Sequence, residues 1–231
     1  MRVVITGGAT GIGRSCVNAL LSNDIDLIYF SSVDAAKELE SCRVKTHRVD
    51  VTNESAVATF FDSIEPFDIL INNAGGNVSF SPTTEYDKDD WIETFNLNTM
   101  SVFLMCKYGI PIINDGGRII NISSISATTG GAPGGMAYAA SKAAVNTMTK
   151  SLSKELAEKN ICVNAIAPGI VWTKQHEKFS SREYYNTLIE KVPMGRDGKP
   201  EDIAGVVEFL CSDKSSYITG QVFGVNGGML M

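Results

Sequence analysis

The sequence predicts an α/β fold built on a doubly wound parallel sheet of about seven strands. Short apolar runs of strand length alternate with longer amphipathic segments of helical period along the 231 residues. No internal repeat, low-complexity tract or linker divides the chain. Because a crossover between parallel strands needs a long return path, this alternation favours helices on both faces of one sheet. We therefore expect one domain that spans residues 1–231.

The predicted elements follow one another in a regular order. Strands are predicted at residues 3–6, 27–30, 44–49, 69–71, 117–122, 162–167 and 221–225. Helices are predicted between most of them. The last helix begins at Pro200, where a missing amide costs nothing, and Glu201 and Asp202 follow near the positive end of the helix dipole.

Charge and cysteine content limit the possible partners. The net charge of -6 argues against nucleic acid or an anionic membrane as a main partner. The five cysteines are odd in number and scattered, which is typical of reduced thiols in a cytoplasmic protein. The first predicted strand leaves no room for a signal peptide, and no apolar stretch reaches membrane-spanning length. We expect a soluble cytoplasmic protein.

The first predicted strand runs directly into a turn rich in glycine, which a helical pattern follows. The glycines permit positive φ and a close approach of the backbone to a ligand. The following helix offers unpaired amides and a positive dipole end to a pyrophosphate. The sequence thus predicts a dinucleotide cradle, although a simple tight turn is the open alternative because the spacing differs from G-x-G-x-x-G. The candidate cofactor-binding residues of this turn are Gly7, Thr10, Gly11, Ile12 and Gly13.

A second pattern places a phenol and an ammonium on one helix face. Tyr138 and Lys142 are four residues apart, just over one helical turn. A nearby cation favours the phenolate and so lowers the phenol's pKa, which predicts a tuned acid/base. Taken alone, the spacing also fits ordinary surface packing. The serine pair at 123–124 and the glycine-rich stretch at 130–135, interpreted as a mobile lip and alternatively as a plain loop, favour a site.

Together these motifs resemble the short-chain dehydrogenase/reductase family over essentially the whole chain. The resemblance implies a Rossmann-like, dinucleotide-binding oxidoreductase. Five ordered motifs carry it: T-G-x-x-x-G-x-G at 6–13, N-N-A-G at 72–75, an asparagine at 98, the set Ser124, Tyr138 and Lys142, and P-G-x-x-x-T at 168–173.

The resemblance implies a catalytic set of Asn98, Ser124, Tyr138 and Lys142. Tyr138 would exchange a proton with the substrate oxygen while a hydride passes to or from the nicotinamide. Lys142 would lower the phenol's pKa and bind the ribose hydroxyls, and Ser124 would place the substrate oxygen. Asn98 would hold a water that links Lys142 to solvent, or would instead be a buried amide that satisfies a bent helix.

Ser123 stays an alternative to Ser124. The spacing from Ser124 to Tyr138 is one residue longer than this branch of the family usually has. Alternation along a strand makes neighbouring side chains face opposite ways, and the second serine of the pair fills the role in relatives, so Ser124 is favoured.

The resemblance also implies further cofactor contacts. Asp50 and Val51 would contact the adenine. Alternatively, Asp50 is simply an acidic residue at the start of a helix. Val171 and Thr173 would meet the carboxamide. The remaining contacts implied by the matched motifs are Asn73, Ala74, Gly75, Tyr138 and Lys142.

The end of the second strand decides between the two nicotinamide cofactors. An acid there would bind the ribose 2′-hydroxyl and repel a 2′-phosphate. Ser31 and Ser32 carry no carboxylate and offer two hydroxyls, so the sequence favours NADP(H). NAD(H) remains possible, because Thr10 stands where relatives that prefer NADP often carry arginine and Asp34 lies two positions beyond Ser32.

Segments 192–196, 217–221 and 225–228 are similar to those of 3-oxoacyl-[acyl-carrier-protein] reductases. This similarity implies hydride transfer between NADP(H) and a 3-oxoacyl thioester. A sugar, polyol or other small alcohol is the alternative substrate, and a cofactor-sensing protein without catalysis is a third reading. Docking of a carrier protein is in doubt, because residues 114–116 lack the basic residue that this branch carries there. The branch has a second basic residue before the strand that leads to P-G, and only Lys159 matches it.

Residues 172–193 are expected to form a substrate lid. The lid contains Lys174, His176, Lys178, Tyr184 and Tyr185. We interpret its cations as a solvated charged face in preference to a binding site for an acidic substrate. Trp172 would line the pocket or pack outward. The two histidines, His47 and His176, have no metal-ligand spacing, so no metal is predicted.

Relatives in this family commonly form tetramers through the helix that carries Tyr138 and through the last helix and strand. The resemblance therefore implies a homotetramer. Ala139, Ala143 and Met148, together with the tail at 229–231, are apolar enough to agree with such contacts.

Overall fold

The computed structural model describes residues 1–173 and 181–231, except that only the backbone of Arg182 is described. It contains a seven-stranded parallel sheet in the order β3-β2-β1-β4-β5-β6-β7, which confirms the predicted fold class. The strands are β1 (Arg2–Thr6), β2 (Asp24–Tyr29), β3 (Val44–Arg48), β4 (Phe67–Asn72), β5 (Ile113–Ile122), β6 (Cys162–Pro168) and β7 (Val222–Val225).

Helices cover both faces of this sheet. They are α1 (Gly11–Ala19), α2 (Val33–Lys37), α3 (Glu54–Asp62), α4 (Lys88–Phe95), α5 (Ser101–Gly109), α6 (Ser126–Thr129), α7 (Met136–Glu155), α8 (Arg182–Ile189) and α9 (Pro200–Cys211). A π-helical turn, Asn96–Met100, joins α4 to α5, and short 3₁₀ turns lie at Thr83–Glu85, Ala157–Lys159 and Asp213–Ser215. Within the two described ranges, no helix has both the length and the apolar composition that crossing a bilayer requires.

Two apolar layers hold the helices on the sheet. Alternate residues of β1 point to opposite faces, so Val3 packs with Val17 of α1 and Val207 of α9. Val4 packs on the other face, with Phe60 of α3 among its neighbours. The strand order reverses between β1 and β4, and a parallel sheet has its binding crevice at the carboxyl ends of the strands where the order reverses.

The second strand begins earlier than the apolar run predicts. Apolar periodicity places its start at residue 27, whereas β2 begins at Asp24. The buried carboxylate of Asp26 accepts hydrogen bonds from Arg2 Nε at 2.7 Å and from His47 Nε2 at 2.9 Å. Asp26 is therefore neutralised within the sheet by residues that local sequence cannot bring to it.

Candidate active site

The turn between β1 and α1 is shaped by close backbone contacts. Gly7 and Gly11 have positive φ of 64° and 53°, and a Cβ added to Gly13 would overlap the carbonyl oxygen of Gly7. Thr10 precedes α1 without capping it through its side chain, and the first turn of α1 contains no acid. The amides at this helix end are thus oriented for an anion such as a pyrophosphate, while Ile12 packs on the core.

The turn is braced from behind by the segment that follows β4. The hydroxyl oxygen of Thr6 accepts from the amides of Asn73 and Ala74, both at 3.0 Å. Asn73 Nδ2 donates to the carbonyls of Thr6 at 3.0 Å and of Gly7 at 3.1 Å. The side chain of Asn73, predicted to contact the cofactor, is therefore engaged by the turn, and Thr6, the first residue of the T-G-x-x-x-G-x-G motif, has a bracing role that sequence reasoning did not assign to it.

Three predicted catalytic side chains meet at the carboxyl end of β5. Ser124 lies close enough to the phenol of Tyr138, which extends from the first turn of α7, to have a lowering effect on its pKa. Lys142, one turn further on, donates from Nζ to the carbonyl of Ile122 at 2.8 Å. Its ammonium lies 5.9 Å from the centroid of the Tyr138 ring. These contacts bring a hydroxyl, a phenol and an ammonium into one crevice.

Ser123 occupies a different environment from its neighbour. Its side chain is buried, and its hydroxyl donates to the backbone carbonyl of Lys142 at 3.3 Å. Ser124 Oγ instead accepts from the amide of Ser126 at 3.1 Å and reaches Tyr138. The structure therefore brings Ser124, and not Ser123, to the phenol.

Burial controls the titration of the phenol and the ammonium. It raises the pKa of Tyr138 above its ordinary value of 10.0, and the hydrogen bond from Ser124 opposes that rise. Burial also lowers the pKa of Lys142 to about 8, since its side chain is 3% exposed. The lowered phenol pKa expected from the sequence is not found in this structure, because the desolvation of Tyr138 is the largest effect on it.

Asn98 lies fully buried in the π-helical turn between α4 and α5. Its Nδ2 donates to the carbonyls of Gly76 and Thr94, both at 2.8 Å, and its Oδ1 accepts from the amide of Gly76 at 2.9 Å. A Cβ on Gly75 would lie 2.7 Å from Asn98 Oδ1 and 3.0 Å from Lys142 Nζ. The side chain of Asn98 thus satisfies a bent helix and holds the N-N-A-G segment beside Lys142.

The predicted adenosine residues gather where β2 and β3 end. Tyr29 pairs with Arg48 across the two strands, so Ser31 and Ser32 follow β2 at the same edge of the sheet where Asp50 and Val51 follow β3. Asp50 Oδ1 accepts from the amide and hydroxyl of Thr52 at 2.9 and 2.7 Å. Asn53, and not Asp50, caps α3. Val51 is buried.

The segment after β6 connects the glycine turn to the lid. Val171 is buried in the core and forms a parallel bridge with Gly198, while the side chain of Thr173 lies 3.6 Å from a Cβ added to Gly11. Trp172 packs edge-on against the buried ring of Tyr185 at 4.3 Å between centroids, and Tyr185 OH donates to Asp197 at 2.8 Å. The lid residues Lys174, His176 and Lys178 lie outside the described residues.

The glycine-rich lip meets the loop that follows β4. The amide of Ser81 donates to the carbonyl of Gly134 at 3.2 Å, and the Phe80 ring lies 3.0 Å from a Cβ added to Gly135. Phe80 and Met136 are 39% and 41% exposed, and Met136 is the first residue of the helix that carries Tyr138. They add apolar surface next to the lip, which sequence reasoning missed because contact with the lip is what places Phe80 there.

A glycine turn shaped for an anion after β1, and a serine, a phenol and a lysine gathered after β5, lie at the same carboxyl edge of the sheet, an arrangement typical of oxidoreductases of the nicotinamide-dependent class. The chain belongs to the short-chain dehydrogenase/reductase family, since residues 7–230 match the family described as enoyl-(acyl carrier protein) reductase. This membership confirms the resemblance and the enzyme class, which acts on a carbonyl or alcohol with NAD(P).

Similar proteins are known from sequence and from structure. The chain is 35% identical to the 3-oxoacyl-[acyl-carrier-protein] reductase FabG of Thermotoga maritima, covering 99% of this chain and 97% of the relative. A short-chain dehydrogenase/reductase from Serratia marcescens superposes with a TM-score of 0.92 at 32% identity, covering 99% and 97% of the two chains. A blue fluorescent protein from a metagenomic library, in complex with NADPH, superposes with a TM-score of 0.91 at 31% identity, covering 100% and 98%.

Proposed function

We propose that this protein transfers a hydride between NADP(H) and the 3-keto or 3-hydroxy group of an acyl thioester. The observation that carries the proposal is the meeting of Ser124, Tyr138 and the buried Lys142 in one crevice, where Lys142 Nζ lies 5.9 Å from the centroid of the Tyr138 ring and Ser124 influences the pKa of the phenol. A phenol with a positioned hydroxyl at hand is suited to exchanging a proton with a carbonyl oxygen. The similarity to 3-oxoacyl-[acyl-carrier-protein] reductases supports the acyl substrate.

Each side chain has a distinct part in this chemistry. When bound, the nicotinamide dinucleotide supplies or accepts the hydride. Ser124 holds the substrate oxygen, and Tyr138 gives that oxygen its proton in the direction of reduction. Lys142 stabilises the resulting phenolate and binds the ribose hydroxyls. Asn98 is the residue we expect to hold the water behind Lys142, by placing the backbone at Gly75 and Gly76.

The apolar surface next to the glycine-rich lip supports an apolar substrate over a sugar or polyol. Phe80 and Met136 supply that surface, and an acyl chain can cover it, whereas a polyol would leave its hydroxyls without partners there. Asp115 is exposed where the carrier-protein branch has a basic residue, and Asn114 Nδ2 donates to Asp68 at 2.8 Å. We therefore propose a thioester that is not presented by a carrier protein.

The proposed cofactor is NADP(H), with NAD(H) as the alternative. Ser31 and Ser32 place no carboxylate at the end of β2, and a structural relative binds NADPH. Acids at this position select NAD(H) through the ribose 2′-hydroxyl.

We also propose a cytoplasmic homotetramer. Of the residues predicted for the interface, Ala139 is buried within the protomer, so it contributes no exposed surface. Ala143 and Met148 are partly exposed on α7. Met100 and Phe103 add exposed apolar surface on the neighbouring helices, and Met231 is fully exposed at the tail.

A substrate panel with paired variants tests this proposal. Acetoacetyl coenzyme A, ketoses, polyols and simple secondary alcohols would be assayed with each cofactor by the absorbance of reduced nicotinamide. We expect the thioester to be the best substrate. Y138F and S124A should lower kcat/KM by roughly 10²–10⁴-fold, while S123A, the matched control, stays close to the unaltered protein.

The other outcomes are separable. Preferred turnover of a polyol would replace the acyl substrate with the alternative one. Tight cofactor binding without turnover of any substrate would favour the cofactor-sensing reading. Full activity in Y138F would overturn the catalytic assignment itself.

A further inference from the structure

The ends of β2 and β3 form one corner at the carboxyl edge of the sheet. Tyr29 pairs with Arg48, and the amide of Val49 donates to the carbonyl of Tyr29 at 2.9 Å. Arg48 therefore stands directly beside the chain that continues into Ser31 and Ser32. These serines are the proposed ribose site, so Arg48 is next to the position where a 2′-phosphate would project.

Arg48 is held in that corner by Phe30. Its Nε donates to the carbonyl of Phe30 at 3.3 Å, and its guanidinium carbon lies 5.8 Å from the centroid of the Phe30 ring. Both side chains are exposed. A guanidinium that stacks on an aromatic face while one N–H is engaged still has its terminal nitrogens available for a bidentate partner.

The charge of Arg48 is not compensated by a neighbouring acid. Among the described residues, no carboxylate lies within salt-bridge distance of its guanidinium. The other nearby arginine, Arg14 of α1, is paired with Glu38 at 3.0 Å. Thr10 leaves the glycine turn itself without a cation. Lys37 lies at the far end of α2 from Ser32, roughly 7 Å along the helix axis.

We propose that Arg48 binds the 2′-phosphate of the cofactor and so determines the preference for NADP(H). This inference rests on the proposed function. A guanidinium matches two phosphate oxygens in a planar, charge-assisted pair, and the hydroxyls of Ser31 and Ser32 can donate to the third. Phe30 supplies the preorganisation, because its ring and carbonyl keep the guanidinium from swinging into solvent. The third strand thus carries the charge that the glycine turn lacks.

Binding of cofactor fragments tests the proposal without relying on turnover. Adenosine 2′,5′-bisphosphate and 5′-AMP would be titrated calorimetrically into the unaltered protein, R48M and K45M. In R48M we expect the affinity for the bisphosphate to fall about 10- to 100-fold, with that for 5′-AMP unchanged. The Michaelis constant for NADPH should rise by a similar factor, with that for NADH unchanged. Lys45 is an exposed cation on the same strand at its other end, so K45M should change neither ligand.

The outcomes separate this inference from the proposed function. If the unaltered protein binds both fragments equally and prefers NADH, the proposed cofactor fails and the role of Arg48 fails with it. If the protein prefers the bisphosphate but R48M binds it normally, only the role of Arg48 is overturned. An equal loss of both fragments in R48M would overturn it too, because Arg48 would then support the adenosine pocket as a whole. Because Arg48 is exposed, R48M should melt within a few degrees of the unaltered protein.

Discussion

At the scale of single residues, Ser123 and Ser124 show how one position along a strand changes a role. The first hydroxyl is buried against the carbonyl of Lys142, and the second reaches the phenol of Tyr138. The two neighbouring hydroxyls thus contact the same helix, α7, at residues that are one turn apart. This arrangement ties the register of α7 to that of β5, so the phenol and the serine keep a fixed relation.

The burial of Lys142 makes the stability of the protein depend on pH. Burial lowers its pKa to about 8, whereas in the unfolded chain the amine titrates near 10.5. Between these two values the unfolded chain holds a proton that the folded protein has released. The free energy of unfolding therefore rises with pH across that window because of this group. At about 1.4 kcal/mol per pKa unit, the full effect is roughly 3 kcal/mol.

We predict that K142M removes this pH dependence. The free energy of unfolding of the unaltered protein, minus that of K142M, should rise by roughly 3 kcal/mol from about pH 8 to about pH 10.5. Urea unfolding at fixed protein concentration measures it, since subunit association also changes apparent stability. The control is K150M, because Lys150 is an exposed lysine on the same helix and should give a constant difference. A flat difference for K142M would mean that the amine is not desolvated.

At the scale of elements, the start of α1 depends on a glycine that has an ordinary φ. Gly13 does not adopt positive φ, yet a Cβ there would overlap Gly7 O and would lie 2.6 Å from Asn73 Nδ2. The missing side chain of Gly13 allows the first turn of α1 to lie close to the glycine turn, which Thr6 and Asn73 brace. A side chain at this position would push the turn away from the anion site.

We predict that G13A lowers both stability and cofactor affinity. The free energy of unfolding should fall by about 1–3 kcal/mol, as in other overpacked sites, and NADPH should bind at least roughly tenfold more weakly. Gly205 of α9 provides a matched comparison, because no atom lies within 4 Å of a Cβ added there. G205A should gain about 0.5–1 kcal/mol from helix propensity and leave binding unchanged. Urea unfolding and calorimetry measure both variants, and equal behaviour of the two would contradict the close-contact account.

At the scale of the whole molecule, the sequence predicts the order of strands and helices but not all of their partners. Alternating apolar runs identify the seven strands, because burial on both faces leaves a strong local signal. The start of β2 is missed because the charge of Asp26 is neutralised by Arg2 and His47, which are distant along the chain.

The same limit applies to the site. The motifs locate Ser124, Tyr138 and Lys142, since their spacing is local. They do not show that Asn73 braces the turn, that Arg48 stands beside Ser31, or that Phe80 faces the lip. Each of those roles depends on a contact between segments that the chain order keeps apart.

The assembly of the molecule is expected to use the apolar stripe along α4 and α5. Ile92, Met100 and Phe103 recur at helical spacing and are 44%, 44% and 47% exposed. The stripe lies beside α7, because Thr99 in the π-helical turn donates to the carbonyl of Ser141 at 3.0 Å. Burying such a stripe against a second copy would remove its apolar surface from water, at roughly 25 cal/mol per Å².

We predict that the unaltered protein is a tetramer and that F103E is a dimer or monomer, because a carboxylate at the centre of the stripe would have to be desolvated on association. Size-exclusion chromatography with light scattering measures the mass directly. L21E is the control, since Leu21 is 46% exposed, follows α1 and is not part of the stripe, so its replacement should leave the mass unchanged. A tetrameric F103E would place the interface elsewhere, and a monomeric unaltered protein would exclude the assembly.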